Sequence, residues 1–316
     1  MKRRTMLTGA AAALAAPGIA VAQQERVRMG VSIPAATHGW AAGLNWHAQQ
    51  AQKRLQAKYP NLEVVLVTAR DAARQANDLE DLVSVRRING LVVLPFESAP
   101  LTDPVRQVKQ AGVFITVVDR GLTDAAIQDA YVAGDNVRFG EVAGQYFKQR
   151  FLNGGQIVVL RGIPTVIDTQ RVEAFQKAIA GTGVNVLAMQ FANWNRDDGF
   201  RVMQDFLQRF LKVDAVWAQD DDIALGVIEA VRQAKREDQM FIVGGAGMKE
   251  MVKRVMDRDR LVPVDVTYPP GMIEQAMDLT AAHLVEKAPI AKQTIIEAVL
   301  VTPENAKDHY FPDSPF

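Results

Sequence analysis

Apolar residues gather in short β-branched runs that recur about every 25 to 35 residues. VRMGVSI from Val27, LEVVLV from Leu62, LVVLPF from Leu91 and VFITVV from Val113 form a first series. QIVVL from Gln156, VNVLAM from Val184, VDAVWA from Val213 and MFIVGG from Met240 form a second. Each run is apolar at consecutive positions instead of alternating, which predicts strands buried on both faces of a parallel sheet. Between them the spacing is helical. Leu44, Ala48, Ala51 and Leu55 share a face before Pro60-Asn61 ends the element, and Asp71 has the position of a helix cap. A further helix runs from Asn136 through Phe147 and Phe151 to Asn153-Gly154-Gly155. Strand and helix alternate throughout, so the chain is α/β with right-handed crossovers. Two series of similar length and order predict two similar Rossmann-like lobes. The join is AYVAGDN at 130–136, and two extended segments, LVPVDVTYPPG (261–271) and TIIEAVLVTPEN (294–305), flank a helix from Gly271 to Lys287. Three hinge crossovers follow, with one lobe expected from 25–134 plus 267–300 and the other from 135–266 plus 301–316.

Length agrees with this division, since 316 residues exceed what one hydrophobic core usually serves. Hydrophobic residues make up 48% and charged residues 23%, the composition of a folded protein. Lys plus Arg is 36 and Asp plus Glu is 36, so there is no basic surplus to neutralise phosphates and nucleic acid is not an expected partner. The absence of cysteine excludes disulfides, thiolate nucleophiles and Cys-based zinc sites.

Residues 1–22 read as a cleavable signal peptide: Lys2, Arg3 and Arg4, an apolar run from Met6 to Ala16, a Pro17-Gly18 break, then Ala20-Val21-Ala22. The pair Arg3-Arg4 followed by Met6-Leu7 also resembles a twin-arginine signal. The expected location is the periplasm. Removing the leader's three basic residues leaves 33 basic against 36 acidic, a mildly acidic mature chain.

In open parallel sheets, ligands bind beyond the carboxyl ends of the strands. The first series places His38-Gly39-Trp40, Phe96-Glu97 and Asp119-Arg120-Gly121 there. The second places Asp168, Arg171, Asn193-Trp194, Asp220-Asp221-Asp222 and Ala246-Gly247-Met248, with Tyr268 at the last crossover. Flat aromatics beside carboxylates and guanidinium groups suit a polyhydroxylated ligand: its C–H faces pack on rings and its hydroxyls bridge the charged groups. Each residue also has a plain structural role open to it. Trp40 and Trp194 fit a core, Asp119 and Arg120 a surface pair, His38 a solvated loop, and Asp220 to Asp222 an acid-rich helix start. That acidic triple lacks the alternating spacing of a calcium loop, and there is no phosphate loop, so neither metal nor cofactor is expected. G-x-S-x-G and H-E-x-x-H are missing too, which argues against an enzyme, although carboxylates about 5 to 9.5 Å apart across a cleft are the geometry of glycoside hydrolysis.

Four stretches in order, VVDRGL at 117–122, YVAGDNVRFGEVAG at 131–144, TQRVEAFQKAI at 169–179 and VDAVWAQDDDIALGVIEAV at 213–231, make the chain similar to a known family. It resembles the periplasmic sugar-binding proteins of ABC transporters, of the ribose-binding kind. The resemblance implies the type I periplasmic-binding-protein fold and a monosaccharide or sugar alcohol closed in the cleft. It also implies a monomer that delivers its cargo to an ABC permease in the inner membrane. It carries ligand roles onto Asp119, Arg120, Arg171, Trp194 and Asp220, with Trp40 as the stacking ring. With His38, Phe96, Glu97, Asp168 and Tyr268 these form the candidate site. Both Asp119 and Arg171 are expected to lie off the lobe cores, so that losing either should barely change unliganded stability. Departures from the family are visible. His38-Gly39-Trp40 replaces Pro followed by two Phe, Asp220 replaces a common asparagine, Gly245-Ala246-Gly247 lacks the aspartate of G-x-D-G, and Tyr268 or Thr267 stands near a usual glutamine. The hydroxyl pattern recognised should therefore differ from ribose, with another pentose, a deoxysugar or an acyclic polyol fitting equally. A two-lobed transcription regulator would need a helix-turn-helix where the leader stands. The remaining rivals are a binding protein that serves a chemoreceptor or sensor kinase and an exported glycoside-acting enzyme.

Overall fold

All eight apolar runs form strands in a computed structural model of the chain, which describes residues 26–36 and 38–316. The expected leader lies outside the described residues. The first lobe begins β1 (Val27–Pro34), α1 (Gly39–Lys58), β2 (Leu62–Ala69), α2 (Ala72–Ser84), β3 (Gly90–Val93), α3 (Ser98–Gln110), β4 (Phe114–Val118) and β5 (Ala130–Gly134). The second follows with α4 (Asn136–Arg150), β6 (Gly155–Arg161), α5 (Val166–Ile179), β7 (Val184–Phe191), α6 (Arg196–Arg209), β8 (Ala215–Ala218), α7 (Asp221–Gln233), β9 (Phe241–Val243) and α8 (Lys249–Met256). The chain then passes through β10 (Asp265–Val266), α9 (Met272–Glu286), β11 (Gln293–Ile296) and β12 (Leu300–Val301).

Six parallel strands in the order β11-β5-β4-β3-β1-β2 make one sheet, and four in the order β7-β6-β8-β9 make the other. Consecutive apolar residues serve both faces, as β3 shows. Leu91 and Val93 join Leu79, Leu82, Leu101 and Val105 of α2 and α3, whereas Val92 packs with Leu44, Ala48 and Leu55 of α1 and with α9. Each such fully buried side chain contributes about 1.5–3 kcal/mol. In the second lobe Phe175 stacks on Trp217 at 4.1 Å between ring centroids. β7 departs from the expectation: as the sheet's edge strand it keeps Asn185, Gln190 and Phe191 exposed.

Local signals set the helix ends. Asp71 caps α2 by accepting from the Arg74 amide at 2.7 Å, and Lys287, at φ 59°, takes the left-handed turn that ends α9. Three crossovers join the lobes, at Gly134 to Asn136, at Val266 to Tyr268 and at Ile296 to Leu300. β10 and β12 pair antiparallel, and the amide of Thr267 donates to the Val299 carbonyl at 2.9 Å.

Candidate functional site

Asp119 follows the last residue of β4 with φ 57°, a left-handed backbone uncommon outside glycine. Its amide donates to the Val132 carbonyl at 2.9 Å, and Tyr131 Oη donates to its carbonyl at 2.6 Å, so the neighbouring strand holds the turn. Strain of this kind is retained where a surrounding structure overdetermines it. The Asp119 carboxylate accepts from Tyr268 Oη at 2.5 Å.

Tyr268 leads to the opposite lobe. Its hydroxyl accepts from Asn136 Nδ2 at 3.2 Å, Asn136 Oδ1 accepts from Arg171 Nε at 2.8 Å, and Arg171 Nη1 donates to the Gln219 carbonyl at 3.0 Å. The Arg171 guanidinium lies between the rings of Phe139 and Tyr268, 4.2 and 4.5 Å from their centroids. A continuous hydrogen-bonded chain thus runs from β4 of the first lobe, through the hinge, to α5 and β8 of the second. Burial, the main cause, pushes the Tyr268 hydroxyl pKa well above the phenol range, so it remains a donor. Asp119 and Arg171 are each 5% exposed. This corrects the expectation that they lie apart from the packed interior: both are bonded into the hinge, and losing Arg171 removes packing as well as charge.

Other expected residues are placed by contacts of their own. Arg120 Nη1 donates to the Phe96 carbonyl, and its buried Nε has no partner among the described residues. Phe96 is placed by Gln75, fully buried, whose Oε1 accepts the Phe96 amide at 2.6 Å and whose Nε2 donates to the Leu94 carbonyl at 2.9 Å. Trp40 Nε1 donates to the Tyr268 carbonyl at 2.9 Å. His38 is half-buried, and burial lowers its pKa most, with Arg120 acting the same way and Asp222 against it. Asp220 caps α7 by accepting from the Asp222 amide at 2.8 Å, and its carboxyl pKa is raised, first by burial and then by Asp221 and Asp222. Trp194, at φ 51°, keeps a buried indole nitrogen without a partner.

Two expected residues turn elsewhere. Asp168 is fully buried and accepts from Arg161 Nε at 3.0 Å and from the Gly162 amide at 3.1 Å. Glu97 is exposed at the start of α3 and makes no capping bond.

Other residues of the site escaped the reading of the sequence. Asn136 stood at the join and the start of a helix, with no ligand or network role assigned to it. Asp222 looked like a helix-start acid, yet its Oδ2 accepts the Gly39 amide of the opposite lobe at 2.8 Å. Asp221, also assigned to the helix start, accepts from the Gly245 and Met248 amides at 2.8 and 2.7 Å and so ties down the loop after β9. Among the described residues no three His, Asp or Glu side chains are grouped to hold a metal ion.

Comparison with known proteins agrees with this architecture. A family model described as a periplasmic binding protein domain matches residues 29–288. The ribose import binding protein RbsB of Escherichia coli K12 is 35% identical over 208 residues, 66% of this chain and 69% of that protein. Two solved structures have the same type I fold. An ABC transporter solute-binding protein of Bacillus halodurans with bound myo-inositol superposes with a TM-score of 0.80 at 23% identity, covering 91% of this chain and 98% of that one. A Mycobacterium smegmatis solute-binding protein with bound glycerol gives 0.80 at 24% identity, with the same coverage.

Proposed function

Because the chain belongs to the periplasmic binding protein family, we propose that it captures a monosaccharide or sugar alcohol between its lobes and hands it to an ABC permease in the inner membrane. The observation that carries this reading is the chain from Asp119 through Tyr268 and Asn136 to Arg171, which places a carboxylate of one lobe and a guanidinium of the other on a shared network. Such groups hold hydroxyls by charge-assisted hydrogen bonds, and Trp40 and Trp194 supply flat faces for C–H surfaces. Arg120, Asp220, His38 and Phe96 complete the lining. Asp168 orients Arg161 and the start of α5 instead of touching ligand, and Glu97 lies at the rim.

The name of the Escherichia coli relative, a ribose import binding protein, supports a sugar cargo, and the glycerol and myo-inositol seen in the two solved structures support a wider polyol range. The protein acts in the periplasm as a monomer after losing residues 1–22, and it releases its ligand chemically unchanged.

A thermal-shift screen of the mature protein against sugars and polyols tests the reading. A ligand at 100 times its Kd adds about 2.7 kcal/mol of stability, a clear rise in melting temperature. No rise with any sugar or polyol, together with a rise for an amino acid or peptide, would overturn it.

A further inference from the structure

Tyr268 fills the gap between the two charged groups with a side chain held in one position. A Cβ at position 134 would lie 2.2 Å from Tyr268 Cε2, so the ring occupies space that only Gly134 leaves. Phe139 meets it edge-on at 6.2 Å, and the Trp40 indole bonds its backbone carbonyl at 2.9 Å. The residue is 5% exposed.

Its bonding imitates that of a ligand. The hydroxyl donates to Asp119 at 2.5 Å, as a sugar hydroxyl would, and the ring face covers the Arg171 guanidinium at 4.5 Å. One oxygen of Asp119 is therefore shared with a phenol, leaving the other unshared for ligand hydroxyls; with both unshared the carboxylate would be open along its whole edge to a vicinal pair. Arg171 is restricted in the same way. Its Nε is on Asn136 and one Nη1 hydrogen on the Gln219 carbonyl, so of its three nitrogens Nη2 alone carries neither of these bonds and the paired grip of two oxygens is reduced.

We infer that Tyr268 is the specificity-determining residue of the cleft: its phenol takes up one hydroxyl-bearing position between Asp119 and Arg171, and the ligand is a polyol shorter than a pentose. This rests on the reading of the cleft as a sugar or polyol site. A five-carbon chain or pentose ring has to displace the phenol. Doing so leaves the Asn136 amide and one Asp119 oxygen to be satisfied again and moves a ring wedged against Gly134. Selection of this kind, in which a buried polar group is left unpaired by the wrong ligand, discriminates more strongly than fit to an apolar wall.

Calorimetric titration of wild type, Tyr268→Phe and Tyr268→Gln with glycerol, erythritol, xylitol and D-ribose tests it. Wild type should bind glycerol or erythritol at least about tenfold more tightly than xylitol or ribose. Tyr268→Gln keeps an amide for Asn136 and Asp119 but removes the ring, and should reverse that order. Tyr268→Phe keeps the ring, and should still exclude the five-carbon ligands while favouring erythritol over glycerol, because Asp119 now has both oxygens free. Xylitol or ribose as the tightest wild-type ligand, or an unchanged order in Tyr268→Gln, would overturn the inference and leave sugar binding intact. Wild type that binds none of the four nor any other sugar would instead remove the functional reading, and this inference with it. Should Tyr268→Gln fail to fold, the wild-type order and the Tyr268→Phe profile still decide.

Discussion

Arg171 lies between Phe139 and Tyr268 with two nitrogens already bonded to protein, so truncating it has two consequences. A charge-assisted hydrogen bond contributes roughly 1.5–3 kcal/mol, and a desolvated cation–π contact about 2 kcal/mol. Arg171→Ala should weaken ligand binding by about ten- to a hundredfold and also lower the unliganded melting temperature. Asp119→Asn separates the two effects. The amide oxygen still accepts the Tyr268 hydroxyl, so calorimetry should find apo stability close to wild type and affinity reduced about tenfold through the lost charge. Native affinity in Asp119→Asn would show that the carboxylate serves the hinge and not the ligand.

Where β10 meets the start of α7, Asp265 and Asp221 lie together, and among the described residues no cationic side chain pairs with either. Both are fully buried. A Cβ at Gly244 would come within 2.4 Å of Asp221 Oδ1 and 3.0 Å of Asp265 Oδ1. Asp221 has two backbone amides, whereas neither Asp265 oxygen has a partner of full hydrogen-bond geometry. Burial pushes the Asp265 carboxyl pKa up to about 7, with the Val266 amide and Asp221 pulling it down. The pair therefore holds a proton that the unfolded chain, with carboxyl pKa values near 3.9, releases at much lower pH. A folded pKa above the unfolded one gives a contribution that is complete below about pH 4 and is lost as pH rises to about 7. Asp265→Asn mimics the protonated form at every pH. The melting temperature of the variant minus that of wild type should grow more positive from pH 4 to pH 8. A difference independent of pH would mean that the pair does not share a proton.

Closure of the whole molecule involves a contact set apart from the hinge network. Asp222 of the second lobe accepts the first amide of α1 at 2.8 Å, at a helix end with no acid of its own in the first turn. Met248 reaches the same point, and Phe316, 4% exposed, lies against α1 where a Cβ at Gly43 would be 2.6 Å from its own Cβ. Lys249 of α8 holds the segment before Phe316 by bonding the Ser314 carbonyl at 2.5 Å. These contacts favour the closed arrangement without ligand, and a ligand touching both lobes adds to them. Small-angle scattering should show a larger unliganded radius of gyration for Asp222→Ala and Phe316→Ala than for wild type, and a smaller radius for wild type when ligand is added. A single radius under all these conditions would argue against lobes that open and close.

Much of this molecule is determined by local pattern. Consecutive apolar residues such as Leu91, Val92 and Val93 are enough to specify a strand covered on both faces, because side chains alternate whatever lies above or below. Asp71 and Lys287 end their helices through bonds and backbone angles a few residues away. The strand-end positions of Asp119, Arg120, Trp194 and Asp220 follow from the same pattern once the sheets are parallel. Partner choice does not follow from it. Tyr268 and Asp119 are 149 residues apart and Asp222 and Gly39 183, so neither bond leaves a mark in any window of sequence. Asp168 shows the same limit from the other side: its position at the start of α5 was visible, but Arg161 claims its carboxylate only because β6 ends beside it. Composition and periodicity thus decide which residues reach the cleft, whereas the packing of one lobe on the other decides which remain free for a ligand and which are already spent on each other.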